Sequence, residues 1–277
     1  MQLSKNALGQ IAAQPRLEIP SAKLLGLPEK VLQFGTGVLL RGLPDYFIDK
    51  ANKQGIFNGR VVIVKSTDSD SSAFDKQDGL YTICVRGVEN GKTIEENIIN
   101  ASVSRVLSAN TEWKRILECA HNLEMKIILS NTTEVGIQLT DDNINDEPPS
   151  SFPGKLLAFL QERFKAFNGS AESGMVIVPT ELITDNGSKL ESIVLELAHL
   201  NNLDFKFIEW LETNNIFCNS LVDRIVPGKP NAEELKRTEE TLGYTDELLT
   251  NSEVFRLWAI EGNEKIKEVL SFYKADD

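Results

Sequence analysis

The feature that most limits what this chain can fold into is the stretch Val31-Leu32-Gln33-Phe34-Gly35-Thr36-Gly37-Val38-Leu39-Leu40-Arg41-Gly42. Val31 to Phe34 is a short, mostly apolar run, the pattern of a strand buried in a parallel sheet. Gly35 and Gly37 follow at once and give a tight turn whose bare backbone a ligand can touch. The next segment, through about Lys53, is long enough for a helix, and a helix start offers free N–H groups and partial positive charge to a phosphate. Strand, glycine turn and helix in this order have the shape of a dinucleotide-binding turn, against which stands an ordinary glycine-rich turn. The third glycine of the usual G-x-G-x-x-G is replaced by Leu40, which implies a wider gap or a shifted helix. Arg41 either pairs bidentately with a diphosphate or is a solvated arginine beside an ordinary turn.

Composition narrows the partners. A net charge of −12 argues against a nucleic-acid or anionic-membrane surface. No apolar run approaches the ~18 residues of a membrane-spanning helix, and residues 1–30 lack the apolar core and cleavage site of a signal peptide. Cys84, Cys119 and Cys218 are scattered and odd in number, which fits small buried residues in a reducing cytoplasm. With only His121 and His199, a histidine-rich metal site is not expected, and each reads as a helix-end or surface residue rather than a base.

The rest of the chain alternates strand and helix. Residues 1–30 form a polar lead-in on the surface. Residues 60–65, four β-branched residues between Arg60 and Lys65, read as a strand buried on both faces. A dinucleotide site would place an acid at its end for a ribose hydroxyl; Lys65, Ser66 and Thr67 come first, and Asp68 only afterwards. Lys65 is either a solvated strand-end lysine or a partner for a 2′-phosphate, which leaves NAD and NADP both open. Residues 68–80 read as a loop, and 80–86 as a strand entering a hairpin at 89–92, an antiparallel insertion in an otherwise alternating chain. Asn110 is positioned to cap a helix carrying Trp113, Ile116, Leu117 and Ala120 on one face. Strands are expected at 126–130, 174–179 and 217–222, with helices over 152–167, around 190–197 and from Asp204 to about Glu212. Two strand ends carry polar clusters where open α/β sheets bind ligands: residues 131–136, with an amide, hydroxyls and the Glu134 carboxylate, and residues 180–187. Each cluster also reads as an ordinary hydrogen-bonded turn. Asp223 and Arg224 form either a structural ion pair or a site acid with its holder. From Pro230 the chain becomes more charged and helical, so we expect a cofactor-binding domain over 1–226 and the start of a helical domain over 227–277, left incomplete.

In this order the motifs resemble the mannitol dehydrogenase family, the long-chain polyol-specific dehydrogenases. The matching pieces are residues 31–41, 130–136, 179–187 and 219–225, together with 257–262, which is similar to the branch acting on uronates. The resemblance implies a Rossmann-like, mostly parallel α/β sheet and metal-free hydride transfer between NAD(H) and an open-chain sugar acid, here between D-tagaturonate and D-altronate in hexuronate catabolism. Reduction of fructuronate or oxidation of mannitol is the neighbouring activity, and a non-catalytic dinucleotide-binding module is the alternative of another class. The family turn is G-x-G-x-x-x-R, so Arg41 matches its arginine and Leu40 is no defect. Asn131 and Thr132 are implied near the nicotinamide ribose, and Asp223 matches an acid that supports the active site. The candidates for cofactor contact are Phe34, Gly35, Thr36, Gly37, Val38, Leu39, Arg41, Lys65, Ser66, Ser130, Asn131 and Thr132.

Two departures bear on catalysis. Mannitol-specific relatives place an asparagine where this chain has Leu182, and Asn186 is the substitute at hand. The family's general base is a lysine in a K-x-x-x-x-N-x-x-H helix, and no such pattern occurs here; Lys274 has only three residues after it. A positioned acid–base group contributes roughly 10²–10⁴-fold to such a step. The expectation is therefore a chain that binds NAD(H) and turns over little sugar acid by itself.

Overall fold

The computed structural model describes residues 1–132 and 136–276. The chain passes through β1 (Leu17–Glu18) into β2 (Glu29–Phe34), turns at the two glycines, and forms α1 (Val38–Gly42) and α2 (Pro44–Lys53). Next come β3 (Arg60–Lys65), α3 (Ser72–Lys76), a hairpin of β4 (Tyr81–Glu89) and β5 (Lys92–Asn100), then β6 (Val103–Ser108) and α4 (Ala109–Glu118). The chain continues through β7 (Ile127–Ser130), α5 (Phe152–Ala166), β8 (Val176–Pro179), α6 (Asn186–Leu200) and α7 (Phe205–Asn214). It ends with β9 (Ile216–Phe217), β10 (Ser220–Asp223), α8 (Ala232–Leu242), β11 (Thr250–Glu253), β12 (Leu257–Ile260), α9 (Glu264–Val269) and a 3₁₀ turn at Ser271–Asp276.

Six strands form the central sheet in the order β6-β3-β2-β7-β8-β9, and every pairing in it is parallel. Its inner strands β3, β7 and β8 and the second half of β2 are buried on both faces, as their mostly apolar runs require, while the edge strands β6 and β9 are partly exposed. Leu32, Phe34, Val62, Val64, Ile128 and Ile177 point into a core shared with α4 to α7. Their neighbours Val31, Val61, Ile63, Ile127, Leu129 and Val178 point into a second core on the opposite face. The chain leaves β2 toward β3 and β6, then returns to β7 on the other side of β2. That reversal opens a crevice at the carboxyl ends of β2 and β7, where open α/β sheets take their ligands.

The antiparallel insertion is the β4–β5 hairpin. Its turn residues Asn90 and Gly91 both have positive φ, at 52° and 75°, the conformation that two-residue hairpins need. β1 and β11 flank the hairpin by parallel pairing, giving the sheet β1-β5-β4-β11. Residues 227–276 carry helices close to those expected and, between them, β11 and β12; β12 pairs antiparallel with β10 in a two-stranded ribbon. The lead-in does more than lie on the surface: Leu3, Leu8 and Ile11 are buried with Tyr244 and Leu249 in a third core.

Local chemistry explains where other elements differ from expectation. The single helix expected after Gly37 is two. Pro44 has no N–H to donate and disfavours helical backbone at the preceding residue, and Leu43 sits at φ −129°, ψ −74°. Asn110 does not cap α4; its Nδ2 donates to Asp68 Oδ1 at 2.8 Å. The Glu112 carboxylate closes the helix start instead, accepting from Ser108 N–H at 2.9 Å. The strand expected over 217–222 is split between β9 and β10, and a short helix, α3, interrupts the loop expected over 68–80. Among the described residues no helix is long and apolar enough to cross a membrane.

Candidate functional site

The crevice between β2 and β7 holds a cavity of about 360 Å³ lined by Phe34, Gly35, Thr36, Gly37, Lys65, Ser66, Thr67, Asn131, Thr132 and Phe152. Three strand ends and the start of α5 therefore meet at one place. The floor is aromatic, with the rings of Phe34 and Phe152 5.0 Å apart. Gly35 lies at φ +125°, and a Cβ there would come within 3.0 Å of the Asn131 carbonyl oxygen. A side chain is thus excluded on both backbone and steric grounds, which keeps the first bend bare. Gly35 N–H donates to Val64 O at 3.0 Å and Asn131 N–H to Phe34 O at 3.2 Å, so the bend is tied to both neighbouring strands. The first N–H groups of α1 have no partner within the helix and face the start of that turn.

Lys65 is the single basic residue among the described residues that line this cavity. It is neither a free strand-end lysine nor an open phosphate partner, because its Nζ donates to Ser69 O and it is buried. That contact curls residues 66–69 over the end of β3. Thr67 Oγ1 and Ser69 Oγ share a hydrogen bond of 2.8 Å in the same loop, and Asn110 fixes Asp68 beside it.

The opposite wall is stitched between β7 and β8. Thr180 donates twice to Ser130 O, from N–H at 2.8 Å and from Oγ1 at 2.7 Å. Asn131 Nδ2 donates to Thr180 O and Oγ1, both at 3.1 Å. The Glu181 carboxylate, almost fully buried, accepts from Ser130 Oγ at 3.1 Å, Thr132 N–H at 2.8 Å and Thr132 Oγ1 at 3.0 Å. Thr133, Glu134 and Val135, which complete the cluster expected at this strand end, lie outside the described residues.

Several expected site residues have other work. Arg41 does not reach toward the cavity. It is buried, its Nη1 donates to Leu248 O at 2.6 Å, and its guanidinium lies over the rings of Tyr81 and Phe74 at 5.4 and 5.9 Å. Val38, Leu39 and Ser130 are not among the residues that line the cavity. Asn186 cannot stand in for the missing asparagine, because its amide is fully used. Nδ2 donates to Pro179 O, Glu181 O and Ser220 O, while Oδ1 accepts from Gly187 and Ser220 N–H. It ties the start of α6 to β10. Leu182 is 64% exposed. Asp223 is exposed at the end of β10, and Arg224 turns away from it to Gly42 O and Glu253 O. His121 pairs with Glu162 at 2.7 Å on the surface, and His199 is exposed near the end of α6. Sequence reading missed Phe152, Thr67 and the holding role of Glu181. Glu181 sat in a recognised strand-end cluster, but nothing local signals which carboxylate turns inward.

The Rossmann domain of mannitol dehydrogenases matches residues 29–271, most of the chain. The chain belongs to the mannitol dehydrogenase family. Among its relatives is an altronate oxidoreductase of Bacillus subtilis (strain 168), 42% identical over 250 residues, which cover 90% of this chain and 52% of the relative. A second, from Halalkalibacterium halodurans, is 39% identical over 276 residues, covering 99% and 53%. The altronate oxidoreductase of Shigella flexneri is 40% identical over 262 residues, covering 94% and 53%. The chain thus spans about half the length of the curated relatives it matches. In fold it is similar to Pseudomonas fluorescens mannitol 2-dehydrogenase, solved as a ternary complex with NAD and D-mannitol. The TM-score is 0.81 at 21% identity, covering 95% of this chain and 55% of that one. A substrate-free D-sorbitol dehydrogenase superposes with a TM-score of 0.80 at 21% identity, covering 97% and 58%.

Proposed function

We propose that this chain is the cofactor-binding part of an NAD-dependent oxidoreductase that interconverts D-tagaturonate and D-altronate by hydride transfer. The observation that carries the reading is the open crevice at the β2–β7 reversal, rimmed by Gly35 to Gly37, in a chain whose relatives are named altronate oxidoreductases. The residues present fit a nicotinamide dinucleotide. Bare backbone at Gly35, where a Cβ would strike the Asn131 carbonyl, suits a closely approaching diphosphate. The Phe34–Phe152 floor offers apolar surface to a ring. Asp68 follows β3 by three residues, just outside the cavity lining, and is held by Asn110; a carboxylate at that rim would repel a 2′-phosphate. Lys65, turned onto Ser69 O, is not spare for that phosphate. Both features support NAD over NADP.

When bound, the nicotinamide would supply or accept the hydride at the sugar carbon. This chain's residues bind and orient: the glycine bend holds the diphosphate, and Asn131 and Thr132 form the wall on the nicotinamide side. Asp223 is assigned a supporting role. We place the groups that move the proton in the part of the relatives that this chain does not span, since the 277 residues contain no K-x-x-x-x-N-x-x-H pattern. On this reading residues 1–226 hold the nucleotide, and residues 227–277, whose described part packs on the same cores and which fall largely within the matched Rossmann domain, lead toward the substrate domain. The exposed apolar side chains Leu182, Leu221 and Leu257 support an interface there. The buried free thiols and the charge of −12 support a cytoplasmic enzyme acting on a small molecule rather than a nucleic acid.

Titration of these residues with NADH and NADPH, followed by nucleotide fluorescence, tests the reading. NADH should bind, and more tightly than NADPH. Absence of NADH binding removes the assignment, and a preference for NADPH removes the argument from Asp68. Altronate-dependent formation of NADH by these residues alone should be weak; vigorous turnover would refute the placement of the proton-transfer groups.

A further inference from the structure

We infer that Glu181 is the positioning residue for the nicotinamide-side wall of the cavity; the inference rests on the dinucleotide reading above. β8 ends at Pro179, and the Thr180 N–H continues its parallel pairing with β7 by donating to Ser130 O at 2.8 Å. That one extra rung carries the next residue, Glu181, across the end of β7. Glu181 as a whole is 3% exposed, and among the described residues no lysine, arginine or histidine forms an ion pair with it.

A carboxylate buried without a cation needs hydrogen-bond donors. All three donors found here belong to the segment that runs into the cavity wall: Ser130 Oγ on one carboxylate oxygen, and Thr132 N–H and Oγ1 on the other. Asn131, between them, is tied to Thr180, the residue before Glu181. Residues 130–132 are therefore held on this side by a two-residue clamp that follows β8, while Asn131 N–H is tied to Phe34 O of β2 on the other. Asn131 and Thr132 line the cavity, while Glu181 lies behind them. Glu181 need not touch a dinucleotide; it acts through Thr132.

The clamp depends on acceptor geometry more than on charge. A glutamine can keep both Thr132 bonds on its carbonyl oxygen, while its amide donates to a rotated Ser130 hydroxyl. An alanine keeps none of them. The test compares binding of NADH with binding of AMP, which occupies only the adenine half. Glu181→Ala should weaken NADH by about tenfold or more and leave AMP within about twofold, because residues 35–37 and 65–68 are untouched. Glu181→Gln should restore NADH to within about threefold of the parent. If Glu181→Ala does not fold, Ser130→Ala, which removes one of the three bonds, should weaken NADH severalfold with AMP unchanged. Equal NADH binding by parent and variants, or parallel loss of NADH and AMP, overturns the inference while leaving the dinucleotide reading in place. Failure of the parent chain to bind either nucleotide overturns both.

Discussion

Asp45 offers the sharpest test of the packing behind the glycine bend. It sits in the first turn of α2, fully buried. One carboxyl oxygen accepts from Gln33 Nε2 at 3.4 Å and Tyr81 OH at 3.3 Å, and the other has no partner. Burial raises this carboxyl from 3.8 to about 7; the bonds from Gln33 and Tyr81 and the nearby Arg41 charge oppose the rise, and Asp49 adds to it. The folded chain thus holds the proton more tightly than the unfolded one. As pH rises from 3.8 toward about 7, the unfolded chain gives up this proton first, so stability falls through that window and levels off above it. At ~1.36 kcal/mol per tenfold change in proton affinity, the full effect is about 4 kcal/mol. Asp45→Asn removes the titration and keeps an acceptor for Gln33 and Tyr81, with an amide donor where the orphan oxygen lies. Urea unfolding of parent and variant between about pH 4 and about pH 8 should show the stability difference moving toward the variant by up to that amount, nearly all of it below about pH 7. A difference that stays flat with pH would show that Asp45 is not held neutral by burial.

Two other outcomes follow from the same structure. Gly35→Ala would force a side chain at φ +125° and into the Asn131 carbonyl; a loss of about 1–3 kcal/mol in thermal or urea unfolding, together with loss of NADH binding, is expected, and an unchanged protein would mean the bend is not constrained. Cys84, Cys119 and Cys218 are buried, and burial pushes each thiol up to about 11; a chromogenic disulfide reagent at about pH 8 should label none in the folded chain and all three in urea.

Strands β2, β3, β7 and β8 were legible because they are β-branched or apolar over most of their length, which favours burial on both faces; β6, with sequence Val-Ser-Arg-Val-Leu-Ser, carries no such mark, and no strand was expected there. The hairpin was legible because Asn90-Gly91 suits one kind of turn. Pro44 announced the break in the first helix, yet a continuous polar-apolar pattern hid it. Long-range pairings left no local trace: nothing in residues 250–253, with sequence Thr-Asn-Ser-Glu, indicates a strand beside β4. The cavity was legible from its glycines and from the strand-end position of Asn131 and Thr132. The fate of the polar side chains around it was not, since Asn186 and Asn131 have the same chemistry in sequence. One is consumed at the start of α6, and the other lines the crevice.

Arg41 shows how such a residue can matter to a site it does not face. Its guanidinium fastens the end of α1 to Leu248 O and lies over Tyr81 at the start of β4. Tyr81 OH in turn donates to Arg41 O at 3.1 Å and reaches Asp45 in the next helix. Gln33, one residue before Phe34 on β2, donates to both Asp45 and the Gly35 carbonyl at 3.4 Å. The bend is therefore braced from behind by a buried polar chain running from residue 248 through the hairpin to the strand that carries the glycines. An arginine is suited to this place because it reaches a backbone carbonyl and stacks on aromatic faces with one planar group. A lysine offers a single point of charge and would lose the stacking. Arg41 thus acts behind the crevice rather than in it, joining the end of α1 to the segment around Leu248 and to Tyr81.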